Sequence, residues 1–226
     1  MDIIHSYNEN GSGEVLVLLH GNGESKEYFE YQMAELSKIR RVIALDTRGH
    51  GATPRGEKPF TLSSFADDLH DFLDLKKITC ADILGFSDGA NIALHFALKY
   101  PNRVNKLILN GGNLTPFGVK ARFQIPIVIE YALFALASSF DKRAKQKAEL
   151  LSLMVKEPCF KEEELSKIAL PTLIIAGTHD MIKESETRRI HKYIENSELR
   201  FVVGSHFAAF ENPDEFNSVV WEFLTK

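Results

Sequence analysis

Apolar positions fall along this chain in two alternating rhythms. Short runs rich in Val, Ile and Leu stand at 15–19, 41–45, 81–85, 106–110, 172–176 and 200–203, and few polar residues interrupt them. Near-continuous apolarity over so few residues marks strands covered on both faces, which predicts a mostly parallel sheet. Between these runs the spacing shifts to three and four. Phe65, Leu69, Phe72 and Leu73 share one helix face that Thr61 can cap, and Phe29, Met33 and Leu36 share another. The stretch "ENPDEF" (211–216) opens the last helix, with Asn212 as N-cap, Pro213 as first helical residue and Glu215 as the returning acid of a capping box. Phe216, Val219, Val220 and Phe223 then form its inner stripe.

Strand and helix alternate, so the expected class is α/β, a mostly parallel central sheet flanked by helices. The alternation breaks once. Between about 113 and 170 the pattern is helical with no strand run, and residues 114–169 are read as a small helical cap inserted within a single domain spanning 1–226. In that insertion Ile127, Val128, Ile129, Tyr131, Leu133 and Phe134 are apolar around most of a helix, which requires burial on more than one side. Two destinations satisfy that requirement: the core or a dimer contact, and the roof of an acyl or aromatic pocket. Either one predicts a small-molecule substrate with an apolar portion.

Composition narrows the picture. A chain of 226 residues, 44% hydrophobic and 26% charged, can build one sizeable core and is not a disordered segment. Its net charge of −4, with acids and bases interspersed, predicts no basic stripe for nucleic acid and no polybasic patch for anionic lipid. The start "MDIIHSYNEN" has neither a basic n-region nor a long apolar stretch, so no secretory signal is expected and a cytoplasmic location is. The most apolar window, 123–139, is shorter than the roughly 20 residues of a membrane span and carries Pro126 and Glu130, which argues against stable membrane insertion. Cys80 and Cys159 have no metal-type spacing and suggest no disulfide framework, and no HExxH or strand-linked GxGxxG occurs. No metal and no cofactor are expected. The oligomeric state is left open.

The chemistry lies at the strand ends. In an open α/β sheet, sites form outside the carboxyl ends of the strands, and four such junctions here read "HGNG" (20–23), "GFSDG" (85–89), "GTHD" (177–180) and "GSHF" (204–207). The second has the pattern GxSxG between a strand-like "CADILGF" and a helix-like "GANIALHFALKY". In that context the glycines relieve clashes in a sharp turn and the serine is lifted above the sheet edge. A serine hydroxyl needs a base to take its proton, and the base needs an acid to orient it. The order Ser87, Asp180, His206 supplies all three, each after a strand. Asp46 also follows a strand and is a second possible acid, although Asp46, Arg48 and His50 of "DTRGHG" fit a structural turn. Asp88, in the first turn of its helix, is favoured by the helix dipole.

Taken together, "LLHGNG", "DTRGHG", "GFSDG", "GTHDMI" and "GSHF", in that order over nearly the whole length, resemble the α/β-hydrolase family. The resemblance implies Ser87 as nucleophile, His206 as general base then acid, Asp180 as its orienting partner, and an oxyanion hole made by the backbone N–H groups of Asn22 and Asp88. It also implies that the family's first strand is missing, since fewer than 20 residues precede "HGNG". The elbow is similar to that of valacyclovir-hydrolase-like enzymes, whose elbow acid recognises the amino group of an amino-acid ester. The expected reaction is hydrolysis of a carboxylic ester, thioester or lactone through an acyl-enzyme, without a cofactor. C–C bond hydrolysis, cofactor-free perhydrolysis and slow-turnover ligand sensing are the alternatives.

Overall fold

The computed structural model describes residues 2–226. Seven strands form one sheet: β1 (Tyr7–Asn10), β2 (Val15–Leu19), β3 (Arg41–Leu45), β4 (Ala81–Phe86), β5 (Val104–Asn110), β6 (Thr172–Gly177) and β7 (Ser197–Val202), in spatial order β1-β3-β2-β4-β5-β6-β7. Every pairing is parallel except that of β1 with β3. The nine helices described are α1 (Glu30–Leu36), α2 (Leu62–Leu75), α3 (Asp88–Lys99), α4 (Ala121–Ala137), α5 (Lys142–Lys156), α6 (Glu162–Leu165), α7 (Glu184–Tyr193), α8 (Ala208–Glu211) and α9 (Pro213–Thr225).

The continuous apolar runs acquire their reason here. Successive side chains of a strand point to opposite faces. Val17, Ile83 and Leu107 therefore join α2 and α3 through Phe65, Phe72 and Phe96, while Leu16, Leu84 and Ile108 join α9 through Phe216, Val220 and Phe223. Both faces of the sheet are core, so a polar residue in the middle of β2 or β4 would lose its hydration on either side.

Two edges differ from the sequence expectation. Strand β1 has all four residues exposed; it is recruited by backbone pairing to β3 and by the Arg41–Glu9 and Lys76–Glu9 ion pairs, none of which a hydrophobic pattern registers. Strand β7 starts at Ser197 and not at 200, with its first five residues only half-buried. The Thr61 side chain accepts from the Ser64 N–H and caps α2. Asn212 stands at the N-cap of α9 without a side-chain cap bond. Its amide instead donates to the Glu215 carboxylate and to Val203 O, tying the helix start to the loop that carries His206.

No named strand lies between β5 and β6, where α4, α5 and α6 fold. The burial expected for α4 is not found. None of its residues is buried, and Leu133 and Leu136 are 63% and 77% exposed, so it is not a core helix. It lies on α5, which turns Ala144, Ala148, Leu151 and Leu153 inward. Among the described residues no helix is long and apolar enough to cross a membrane.

Candidate active site

Four loops meet above the carboxyl ends of β2, β4, β6 and β7. At the tip of β4, Ser87 has φ 53° and ψ −118°, a left-handed conformation that only one other described non-glycine residue, Lys77, shares in φ. Such a backbone is strained for a residue with a Cβ and persists where its surroundings dictate it. The surroundings here are tight. A Cβ on Gly85 would strike the Gly89 carbonyl and the Ala90 nitrogen, and one on Gly89 would strike the Leu19 and His20 carbonyls. The two glycines of GxSxG thus let α3 turn back against β4 and lean on the end of β2. The Ser87 N–H donates to Asn110 O at 2.8 Å, fastening the turn to β5.

Asp180 and His206 come to this serine from the far side of the sheet. Ser87 Oγ lies 2.9 Å from His206 Nε2, and His206 Nδ1 lies 2.7 Å from Asp180 Oδ1. Asp180 Oδ1 also accepts from the Ile182 N–H and Oδ2 from the Gly177 N–H. Burial alone would push the Asp180 carboxyl up, but these donors, His206 first, hold it below its ordinary range. An ionised Asp180 fixes Nδ1 as the protonated nitrogen and leaves Nε2 free to accept from the serine hydroxyl. The imidazole itself is buried between Phe86 and Phe207, with ring centroids at 4.9 and 5.7 Å.

The two expected oxyanion donors are also at the site. The backbone N–H groups of Asn22 and Asp88 have no protein acceptor among the described residues. The Asn22 loop is set by His20, a residue whose role the sequence did not disclose. Thr47 N–H donates to His20 Nε2 and the other ring nitrogen lies 2.8 Å from Gly21 O, so the neutral ring staples β3 to the loop. Burial, with His50 nearby, lowers His20 to about 4, which keeps it neutral. Asp46, the alternative acid, is instead a structural anchor. It accepts from Lys26 and from the Ala52 N–H and has no contact with His206. Arg48 is buried against Asp68 and Asp2 in the same turn.

The Asp88 side chain borders a small space beside Ser87. A cavity of about 10 Å³, room for one water, is lined by Ser87, Asp88 and His206 from the sheet side and by Met154 and Glu157 from α5 and its end. The roof is therefore α5, whereas α4 contributes nothing to the lining. Asn22 Nδ2 donates both to Asp88 Oδ2 at 2.9 Å and to Leu150 O at 2.8 Å, so one amide joins the elbow acid to the roof. Burial pushes both Asp88 and Glu157 up; Asn22 partly offsets this at Asp88, and the charge of Asp88 adds to it at Glu157. A larger concavity of about 590 Å³ between α1 and α9 contains none of these groups, and one of about 210 Å³ beside β6 reaches Asp180 but neither Ser87 nor His206. Among the described residues no cluster of His, Cys, Asp and Glu is suited to a metal ion.

Glu157 and Gly111 were not singled out by the sequence. A Cβ on Gly111, at φ 66°, would sit 2.7 Å from His206 Cε1, so this glycine leaves the space in which the imidazole stands. Only its place at the end of a strand hinted at that role.

Comparisons with known proteins agree on the fold. Residues 14–148 match the sequence profile of the alpha/beta hydrolase fold. The serine hydrolase BPHL of Homo sapiens is 28% identical, over 96% of this chain and 82% of its own. A variant of the meta-cleavage product hydrolase CumD from Pseudomonas fluorescens is 26% identical with a TM-score of 0.78, over 99% of this chain and 94% of that one. The enol-lactonase of Burkholderia xenovorans shares the fold at a TM-score of 0.83 and 22% identity, over 98% and 96% of the two chains.

Proposed function

The chain belongs to the alpha/beta hydrolase fold family, and from that premise we propose that it is a serine hydrolase cleaving a carboxylic ester, or a related thioester or lactone. The observation that carries this reading is the unbroken hydrogen-bonded line Ser87–His206–Asp180 at a serine held in a left-handed turn. In the proposed reaction His206 Nε2 takes the Ser87 hydroxyl proton as Oγ bonds to the acyl carbon. The oxyanion accepts from the Asn22 and Asp88 N–H groups, each such donor contributing about 3 kcal/mol. The C–O bond to the leaving alkoxide then breaks as Nε2 returns the proton to it. A water, deprotonated by the same nitrogen, attacks the acyl-enzyme, and the acid leaves as Ser87 regains its proton. Asp180 stays ionised throughout and stabilises the imidazolium. The helical segment 114–169 acts as a cap on this single domain, and the apolar side chains Val119, Met154 and Met181 around Ser87 favour a substrate with an apolar acyl portion.

A fluorophosphonate probe tests the assignment directly. It is expected to label the wild-type protein on Ser87 and to leave Ser87→Ala unlabelled; labelling of Ser87→Ala would remove Ser87 from the role.

A second reading concerns the substrate. Asp88 and Glu157 line the same small space as the nucleophile, and both are disfavoured as anions by burial when nothing cationic faces them. An ammonium group on the substrate would offset that cost, which favours an amino-acid ester. Such esters are then turned over faster than their des-amino analogues, and equal rates for the two discard the reading.

A further inference from the structure

We propose that the outer face of α4 docks onto an anionic lipid surface. Ile125, Ile129, Leu133, Leu136 and Phe140 recur at helical spacing along α4 and into its following turn. They are 58%, 56%, 63%, 77% and 94% exposed. Monomeric proteins rarely leave so continuous an apolar stripe in water, and no other part of the described chain covers this one. Its inner face is already used: Gln124 donates to Met154 O, and Tyr131 and Phe134 are half-buried toward the protein.

The choice of occupant rests on charge. Residues 120–156 hold seven Lys and Arg against three Asp and Glu, a local excess of four positive charges in a chain whose net charge is −4. Whole-chain balance therefore hides a basic patch that the fold assembles around this stripe. Arg122 lies at one end of α4, over the ring of Phe123. Lys142, Arg143 and Lys145 follow at the other, exposed and without an ion pair among the described residues. Of the acids, Glu130 is paired with Lys147 and Asp141 accepts the Arg143 N–H as the cap of α5.

A second copy of the chain is a poor fit to this arrangement. Because both ends of α4 are cationic, a two-fold contact places like charges together whether the helices run parallel or antiparallel. A membrane surface supplies both missing complements: acyl chains for the stripe, and anionic headgroups to which Arg and Lys extend from its ends. The helix would lie in the surface plane and span nothing, in keeping with its length.

Vesicle flotation tests this. The wild-type protein is expected to float with vesicles of equal parts phosphatidylcholine and phosphatidylglycerol, to stay behind with phosphatidylcholine alone, and to be released by added salt. Leu133→Asp combined with Leu136→Asp is expected to lower partitioning by about tenfold or more, and Lys142→Glu combined with Arg143→Glu by about tenfold. Both variants should keep the wild-type Tm and turnover of a water-soluble ester, which separates lost docking from lost folding. Ser87→Ala should bind as the wild type does, so failure of the catalytic assignment leaves this result intact. Three outcomes overturn the proposal: no flotation of the folded wild type with anionic vesicles, flotation indifferent to Leu133→Asp and Leu136→Asp, or a dimer in sedimentation velocity that those substitutions split.

Discussion

The elbow between β4 and α3 and the α4–α5 pair above it are built on opposite principles. In the elbow every residue from Asp88 to Leu94 is buried, the strained Ser87 is tied to β5, and two glycines leave no space for a methyl group. Helix α4 has no buried residue, and α5 meets the site through Met154 and Glu157 and is joined to the loops below by the bond from Asn22 to Leu150 O and by the Arg55–Glu149 ion pair. Rigidity is concentrated where a reacting atom has to be placed to a fraction of an ångström. The layer above it leaves its outer helix exposed and is joined to the loops below by side-chain bonds, so it is the less constrained of the two.

Substitutions on the two sides should therefore differ in kind. The largest effect is expected at the oriented base: Asp180→Asn lowers kcat about 10⁴-fold by favouring the wrong imidazole tautomer, and a fall of less than tenfold in steady-state assays would show that Asp180 does not orient His206. Next comes Gly89→Ala, which drives a methyl group into the Leu19 and His20 carbonyls; chemical denaturation should show a loss of about 3 kcal/mol. Its counterpart on the outer layer, Leu136→Ala, should shift the same curve by no more than about 0.5 kcal/mol. Equal losses would erase the contrast.

A pH dependence is expected at Glu24, between the Asn22 loop and α1. Burial raises this carboxyl from 4.5 to about 7, and one of its oxygens is buried without a partner. The folded protein then keeps a proton that the unfolded chain releases near its ordinary pKa. Glu24 thus makes stability fall as pH rises from 4.5 toward 7, and its full cost is present above that window. Glu24→Gln is expected to raise Tm at about pH 8 and to leave it nearly unchanged at about pH 4. A gain of equal size at both would assign the effect to something other than the charge.

These contrasts also show what a sequence discloses. Strands β2 to β6 were legible because both sheet faces are dry, so most positions are apolar, with buried Asp82 paired to Arg40 as an exception; β1 was not, since an edge strand can be specified by backbone pairing and surface ion pairs alone. The sites of Ser87, Asp180 and His206 could be read because each follows a strand, and a strand end fixes where a loop begins. Asp46 satisfied the same rule, and only the structure separates the two, with Asp180 bonded to His206 and Asp46 to Lys26 and Ala52. For α4, apolarity all round predicts burial, and within the single chain the helix leaves that surface exposed. Its environment depends on α5, whose small inward residues Ala144 and Ala148 give a weak periodic signal. Glu157 and His20 were hidden for a related reason, as their roles depend on neighbours distant in sequence.

The chain leaves the sheet at Asn110 and rejoins it at Thr172, yet β5 and β6 are direct parallel neighbours, with Leu107 opposite Thr172. Closing a longer or shorter excursion between two such fixed points changes the entropic cost only logarithmically. Ser87 lies before that excursion, and Asp180 and His206 lie after it. The segment between is thus a replaceable part. A different helical insert grafted between these two strands could change which molecules are admitted while the reacting groups, carried by the sheet, stay where they are.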